Sequence, residues 1–181
     1  MSAAQGRRTL VLGGIRSGKS EYAEALLADS QPVRYVATAR PVSADAEWSA
    51  RIAAHRRRRP AGWRTTEVGD DPLALLDVLS DAEPHEHLLV DDLGTWVAAV
   101  AELPGGESSD AVADRIAAAV AASPARLVLV SPEVGLSVVP ATEAGRRFAD
   151  ALGTVNRAVA AVCDGVVLVI AGNAVLVKGA P

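Results

Sequence analysis

Short apolar runs alternate with longer amphipathic segments along most of this chain. Residues 127–130 are apolar in succession, without alternation, which predicts a strand buried on both faces of a sheet. A second pattern, with apolar residues at steps of four and three, predicts one face of a long helix. Its members are Phe148, Leu152, Val155, Val159 and Val162. The alternation predicts an α/β fold, with a mostly parallel central sheet and helices on both faces.

Seven strands are predicted in this way. They are residues 9–12, 33–38, 63–68, 88–90, 127–130, 166–170 and 174–177, the last as the antiparallel strand of a C-terminal hairpin. Helices are predicted at residues 21–28, from 43 to about 58, and at 72–79. An Ala-rich helix to Ala122 has Ser109 or Asp110 as its expected N-cap, and the long helix is expected to close at Gly165. No repeat or linker divides the chain, so a single nucleotide-binding domain over residues 1–181 is expected.

The loop after the first strand has the spacing of a phosphate-binding loop. It fits Gly-x-x-x-x-Gly-Lys-[Ser/Thr] between a strand and a helix, the context that this motif requires. Its residues are Gly13, Gly14, Ile15, Arg16, Ser17, Gly18, Lys19 and Ser20. Backbone N–H groups of such a loop surround a phosphate, while Lys19 would reach the β- and γ-phosphates and Ser20 would ligate Mg²⁺. The plainer interpretation is a glycine-rich turn that happens to carry a lysine.

Two acids follow the fourth predicted strand. Ligands of parallel α/β sheets bind beyond the carboxyl ends of the strands, and in a phosphate-loop protein an acid there holds Mg²⁺ or its water shell. The alternative role is that of an N-cap for the next helix. We assign the metal role to Asp91 and the cap to Asp92.

His55 lies in a basic segment. If residues 43–58 are helical, Arg51 and His55 share one face. Nearby arginines would disfavour protonation of the imidazole, which would leave a nitrogen able to attack phosphorus, and they would neutralise a departing pyrophosphate. The arginines after the histidine are Arg56, Arg57, Arg58 and Arg59. Spacing alone leaves this open, because a lone histidine is more often an exposed helix residue and an arginine run more often a solvated surface.

Composition narrows the functional classes. The formal net charge of −4 argues against general nucleic-acid binding. No apolar run approaches the roughly 20 residues of a membrane span, and no secretion signal is recognised, so a cytoplasmic protein is expected. The single cysteine, Cys163, excludes an internal disulfide and is interpreted as a core residue on the long helix. His85 and His87 are interpreted as exposed loop residues.

Several segments together resemble a known family. They are residues 13–20, 35–39, 51–56, 59–60, 63–65, 133–135, 139–140 and 146–150, with Gly153 and Asn156. The resemblance is to the bifunctional adenosylcobinamide kinase/adenosylcobinamide-phosphate guanylyltransferases of cobalamin biosynthesis, and it extends from about residue 9 to 178. The phosphate loop alone would be unspecific, whereas Arg-Ile-x-x-His followed by Pro and Trp-Arg-Thr is selective. The expected fold is that of a P-loop NTPase of the RecA-like type.

The resemblance implies two reactions. A nucleoside triphosphate phosphorylates adenosylcobinamide; a histidine, here His55, then takes GMP from GTP and passes it to adenosylcobinamide phosphate, giving adenosylcobinamide-GDP. The implied nucleotide contacts are residues 13–20, Ala37, Thr38, Ala39, residues 56–59, Glu67 and Asp91. Mg²⁺ held by Ser20 and Asp91, GTP and ATP as substrates, and a homotrimer are implied as well.

Three positions depart from the family pattern. Ala54 replaces a second histidine found in some relatives, Pro132 stands where Asn often precedes Glu-Val-Gly, and Asp91 is one methylene shorter than a glutamate. Two other functions stay open: a single-function small-molecule kinase without a covalent intermediate, and a non-catalytic, nucleotide-dependent module that contacts RNA through residues 56–59. The sequence does not distinguish ATP from GTP as phosphate donor.

Overall fold

The computed structural model describes residues 6–40 and 59–179. Within them, seven strands form one sheet: β1 (Arg8–Gly13), β2 (Val33–Ala37), β3 (Arg64–Glu67), β4 (His87–Asp91), β5 (Arg126–Pro132), β6 (Gly165–Ile170) and β7 (Asn173–Lys178). The same residues contain five helices: α1 (Lys19–Ala25), α2 (Ala74–Ser80), α3 (Leu93–Ala101), α4 (Ser109–Ala122) and α5 (Glu143–Val162). The helix predicted at residues 43–58 lies outside the described part of the chain.

The strand order is β3-β2-β4-β5-β1-β6-β7. All neighbours are parallel except β7, which pairs antiparallel with β6. The predicted parallel sheet with a C-terminal hairpin strand is therefore confirmed. Strand β5 lies between β1, which leads into the phosphate loop, and β4, which ends at Asp91.

The central strands are buried on both faces. Leu88 and Val90 of β4 join the core formed with α2, α3, α4 and α5, whereas Leu89 joins the core formed with α1. Successive side chains of a strand point to opposite faces, so a strand covered on both sides carries apolar residues at every position. This is why the strands appear in the sequence as unbroken apolar runs.

Helix α5 presents the predicted apolar face to the core. Leu152, Val155 and Val159 are buried, and Phe148 and Val162 are partly buried against the same core. The helix ends at Val162 rather than at Gly165, which is the first residue of β6. Cys163 is buried as predicted, but it follows the helix instead of lying on its apolar face.

Two further boundaries differ from the prediction. Helix α1 ends at Ala25 instead of Ala28, and tighter turns follow, in which Leu27 N–H donates to Glu24 O at 3.1 Å. The N-cap of α4 is Ser108, whose Oγ accepts from Ala111 N–H at 3.2 Å, and not Ser109 or Asp110. Ser108, Ser109 and Asp110 could each cap a helix. The helix begins at Ser109, one residue earlier than a cap at Ser109 would allow, so Ser108 takes the role. In residues 6–40 and 59–179, no helix combines the length and apolarity needed to cross a membrane.

Candidate nucleotide site

The phosphate loop connects β1 to α1 through backbone conformations that glycine favours. Gly18, the N-cap of α1, has φ of 93°, a value in the left-handed region. A Cβ on Gly13 would lie 2.8 Å from Val169 O and closer still to Ser17 Oγ, so a side chain does not fit there. Gly18 is therefore favoured by its backbone conformation, and Gly13 is required because there is no space for a side chain.

The loop is held by the ends of the strands on either side. Glu133 N–H donates to Gly13 O at 3.0 Å, and Gly172 N–H donates to Ser17 O at 2.8 Å. Lys19 Nζ donates to Gly14 O at 3.4 Å, which keeps the ammonium over the loop. Gly14, Ile15 and Arg16 are exposed, Ser17 is buried, and Ser20 is half-buried in the first turn of α1. The loop thus has a rigid base and an exposed rim.

The two acids after β4 have different hydrogen-bond partners. Asp92 Oδ1 accepts from Thr95 N–H at 2.8 Å, which confirms Asp92 as the N-cap of α3. Asp91 Oδ2 accepts from the Tyr35 hydroxyl at 2.6 Å. Burial, and then the charge of Asp91, raise the pKa of Asp92, while the charge of Lys19 acts in the opposite direction. The ammonium of the loop and the two carboxylates therefore lie within electrostatic range of one another.

Thr38 links the carboxyl ends of β2 and β4. It is buried, its N–H donates to Asp91 O at 3.3 Å, and its hydroxyl donates to Asp92 O at 2.7 Å and also contacts Thr95 Oγ1. Ala37 pairs in register with Asp91, so the predicted segment Ala37, Thr38 and Ala39 lies beside the acids. Because the hydroxyl of Thr38 makes hydrogen bonds within the protein, the side chain holds the carboxyl ends of β2 and β4 together.

Arg59 and Glu67 line one cavity at the edge of the sheet. The cavity has a volume of about 390 Å³, and its lining residues are Arg59, Pro60, Ala61, Trp63, Thr65 and Glu67. Arg59 Nη1 donates to Thr65 Oγ1 at 3.3 Å, and its guanidinium Cζ lies 3.2 Å from the centroid of the Tyr35 ring. Two residues that the sequence assigned to nucleotide binding are thus brought together. The predicted nucleophile, His55, and the predicted nucleotide contacts Arg56, Arg57 and Arg58 lie outside the described residues.

Two residues of the site were missed by sequence reasoning. Tyr35 looks like an ordinary strand residue, and its contact with Asp91 depends on strand pairing that the sequence does not display. Thr95 had a detectable signal, since it lies three residues after the N-cap, where the backbone N–H donates the capping bond to the side chain of the N-cap residue. Neither Tyr35 nor Thr95 was among the residues predicted to act in catalysis or to bind nucleotide or metal.

Residues 6–40 and 59–179 contain no group of three or more His, Cys, Asp and Glu side chains that could hold a metal ion. His85 is exposed as predicted, but His87 is half-buried as the first residue of β4, because β4 begins earlier than the apolar run. Burial, and then the charge of Arg126, lower the pKa of His87. Ser20 and Asp91 supply a hydroxyl and a carboxylate, the oxygen donors that suit Mg²⁺, which usually keeps several waters.

Comparison of the sequence with known families gives a match over residues 9–177. The matching family is described as CobU, cobinamide kinase / cobinamide phosphate guanyltransferase. The chain is similar to the bifunctional adenosylcobalamin biosynthesis protein CobP of Pseudomonas aeruginosa, at 43% identity over 176 residues, which cover 96% of this chain and 99% of that protein. It is also similar to the bifunctional adenosylcobalamin biosynthesis protein CobU of Salmonella typhimurium, at 39% identity over 93% of this chain and 98% of that protein.

Solved structures show a similar fold. An ATPase of the type III secretion system of pathogenic bacteria gives a TM-score of 0.52 at 11% identity, over 89% of this chain and 50% of that chain. This chain therefore spans about half the length of that ATPase. A protein of Pyrococcus horikoshii OT3 gives a TM-score of 0.51 at 9% identity, over 96% and 87% of the two chains. At these identities the likeness concerns the fold alone, and it agrees with the predicted phosphate-loop NTPase type.

Proposed function

Because this chain belongs to the cobinamide kinase / cobinamide phosphate guanyltransferase family, we propose that it carries out both reactions of that family. It phosphorylates adenosylcobinamide, and it then transfers GMP from GTP to adenosylcobinamide phosphate, giving adenosylcobinamide-GDP in cobalamin biosynthesis. The observation that carries the proposal is the family match over residues 9–177, together with a phosphate loop held rigidly at the end of β1. GTP and ATP are the proposed nucleotide substrates.

For phosphoryl transfer, we assign the nucleotide phosphates to residues 13–20. The loop backbone and Lys19 hold the triphosphate, and the charge of Lys19 offsets the charge that develops on the transferred group. Ser20 and Asp91 are the residues that would hold Mg²⁺, which supplies further charge neutralisation when bound. Positioning and electrostatics account for most of the catalysis in this reaction class, so a rigid loop base is the feature that it requires.

For guanylyl transfer, we assign His55 as the nucleophile. An imidazole nitrogen forms a bond to the α-phosphorus of GTP while the bond from that phosphorus to the bridging oxygen breaks, releasing pyrophosphate. An oxygen of adenosylcobinamide phosphate then attacks the same phosphorus, and the nitrogen–phosphorus bond breaks. Residues 56–59 and Glu67 are the proposed contacts to the nucleotide. Support comes from the position of Arg59, the last of the arginines, against Tyr35 in the site and with Glu67 at one cavity.

The covalent step is tested by the intact mass of the protein after incubation with GTP. The wild-type chain is expected to gain one GMP, acid-labile as a phosphoramidate, and His55→Ala is expected to gain none while still binding nucleotide. His85→Ala is the matched control, because His85 is exposed and distant in sequence from the basic segment. GMP attached to the His55→Ala protein would contradict the assignment, and a wild-type chain that never releases pyrophosphate from GTP would favour the single-function kinase.

The assembly and location of the protein are part of the same proposal. We propose that the chain is one nucleotide-binding domain that forms a homotrimer, on the strength of the resemblance; sedimentation of the purified protein measures the second statement. Binding to nucleic acid is not expected from the net charge of −4. The cytoplasm stays the predicted location.

A further inference from the structure

Tyr35 contacts two parts of the candidate site through two different parts of one side chain. Its hydroxyl donates to Asp91 Oδ2 at 2.6 Å, at the end of β4. Its ring face lies 3.2 Å from the Arg59 guanidinium, at the edge of the cavity that Glu67 also lines. The residue therefore lies between the acid assigned to Mg²⁺ and the arginine assigned to GTP.

The sheet leaves Tyr35 little freedom. Strand β2 lies between β3 and β4, and Tyr35 is 3% exposed within the core on the α1 face. In the β2–β4 register Tyr35 pairs with Leu89 and Ala37 pairs with Asp91. Tyr35 and Asp91 are therefore diagonal neighbours on one face of the sheet, at a separation that an aromatic side chain spans. The contact follows from strand pairing and does not depend on a loop.

The hydroxyl is suited to act as a permanent donor. The Tyr35 hydroxyl donates to Asp91 Oδ2 at 2.6 Å from a residue that is only 3% exposed, so little water competes for this bond. The phenol keeps its proton and orients one oxygen of the Asp91 carboxylate. Side chains that hold a metal ligand in this way often change metal affinity when they are removed, although they never touch the metal.

The ring is suited to hold Arg59. Its guanidinium covers the ring face, and its Nε is buried without a hydrogen-bond partner. Because the Nε–H of Arg59 is buried without a hydrogen-bond partner, contact with the negative face of the ring stabilises the guanidinium. Loss of the ring would release Arg59 from the edge of the cavity, whereas loss of the hydroxyl alone would not.

We propose that Tyr35 is a positioning residue with two separable functions: its hydroxyl orients Asp91 for the Mg²⁺-dependent step, and its ring holds Arg59 for guanylyl transfer. The inference rests on the proposed function, and it assigns to a strand residue a role that links the two reactions. It predicts that two substitutions at one position have different consequences.

Tyr35→Phe removes the hydroxyl and keeps the ring. The Mg²⁺ concentration at half-maximal phosphoryl transfer is expected to rise about tenfold, and calorimetric titration of Mg²⁺ into the protein with a non-hydrolysable GTP analogue is expected to show the same loss of affinity. At saturating Mg²⁺, the rate of GMP labelling is expected to return close to the wild-type rate. The half-saturating concentration does not depend on the fraction of folded enzyme, so a less stable variant still gives a decisive result. Unchanged Mg²⁺ affinity in both measurements would overturn the role of the hydroxyl.

Tyr35→Leu removes the ring as well. GMP labelling is expected to fall about a further tenfold, and added Mg²⁺ is not expected to restore it. Arg59→Met should show the same loss with wild-type Mg²⁺ affinity, and the double variant should be no worse than Tyr35→Leu, as expected for residues that act together. Additive losses would overturn the role of the ring.

Tyr22→Phe is the matched control. Tyr22 is a half-buried tyrosine that packs against the same core on α1, and its substitution should change neither measurement. A wild-type protein that never gains GMP would refute the proposed function itself, an outcome distinct from a failure of the Tyr35 variants.

Discussion

Charged side chains lie at both ends of the parallel strands, but they have different partners at the two ends. At the amino ends, Arg34 Nη2 donates to both oxygens of Glu86 at 2.7 Å, and Arg8 donates to the carbonyls of Val120 and Ala121 at the end of α4. At the carboxyl ends, two carboxylates are consecutive in the chain, and burial together with Asp91 raises the pKa of Asp92. Opposite charges are paired at the amino edge, whereas at the carboxyl edge two carboxylates are adjacent and the ammonium of Lys19 lies within electrostatic range of them.

We therefore expect the amino edge to contribute to stability and the carboxyl edge to contribute to function. A paired, partly buried carboxylate such as Glu86 stabilises the fold, whereas adjacent like charges are unfavourable unless a ligand offsets them. Substitutions at the amino edge should therefore lower the free energy of unfolding and leave turnover unchanged. Substitutions at the carboxyl edge should lower turnover and leave the free energy of unfolding nearly unchanged, unless they remove a helix cap.

The largest effect is expected at Lys19. Lys19→Met keeps the aliphatic stem and removes the ammonium, and phosphoryl transfer is expected to fall about 10²–10³-fold, since a preorganised donor to the phosphates is lost. The unfolding midpoint should stay close to that of the wild type. Steady-state kinetics and thermal unfolding measure the two quantities.

Lys178→Met is the control for this variant. Lys178 Nζ donates to Ala160 O and Ala161 O at 2.8 and 3.0 Å, near the C-terminus of α5. Its loss should lower the free energy of unfolding by about 0.5–1 kcal/mol, with no change in rate. Wild-type turnover by Lys19→Met would show that the loop is not the site of phosphoryl transfer.

An intermediate effect is expected at Arg34. Arg34→Met leaves the Glu86 carboxylate partly buried without the guanidinium, although Glu83 N–H still donates to it at 3.0 Å, and the free energy of unfolding at pH 7 should fall by about 2 kcal/mol. Burial alone would raise the pKa of Glu86, but the hydrogen bond and charge of Arg34 hold it below its ordinary value of 4.5. The contribution of the pair is therefore complete above that value and is lost as the pH falls through the lowered pKa of the folded state.

The difference between wild type and Arg34→Met in chemical denaturation should accordingly shrink in acid. A difference that is constant from pH 7 down to strongly acidic conditions would rule out the ion pair as its cause. Turnover by this variant should equal that of the wild type, because Arg34 lies at the edge away from the phosphate loop.

The smallest effect is expected at Asp92. Asp92→Ala removes the side-chain cap of α3 and should cost about 1 kcal/mol, whereas Asp92→Asn keeps an oxygen acceptor for Thr95 N–H and should cost much less. Urea denaturation of the two variants measures the difference. Equal losses would mean that the charge of Asp92, and not its capping bond, accounts for its effect on stability.

Much of the fold and part of the site could be predicted. The phosphate loop is contiguous, so its spacing is visible in the sequence, and α5 follows from a period of 3.6 residues over several turns. The cap at Asp92 was predictable for the same reason, since a cap acts within three residues. Boundaries were less predictable: Ser108, Ser109 and Asp110 are equally good caps in composition, and only the packing of α4 selects the first.

Chemistry that depends on residues adjacent in the chain is therefore determined by the sequence itself. The glycines, Lys19 and Ser20 can act only as a loop between a strand and a helix, because their backbone N–H groups and side chains are neighbours along the chain. The contacts of Tyr35 with Asp91 and Arg59 join residues 56 and 24 positions apart, and no local pattern specifies them. They exist because β2 pairs with β3 and β4 in a particular register, and that register is decided by the burial of both faces of the whole sheet.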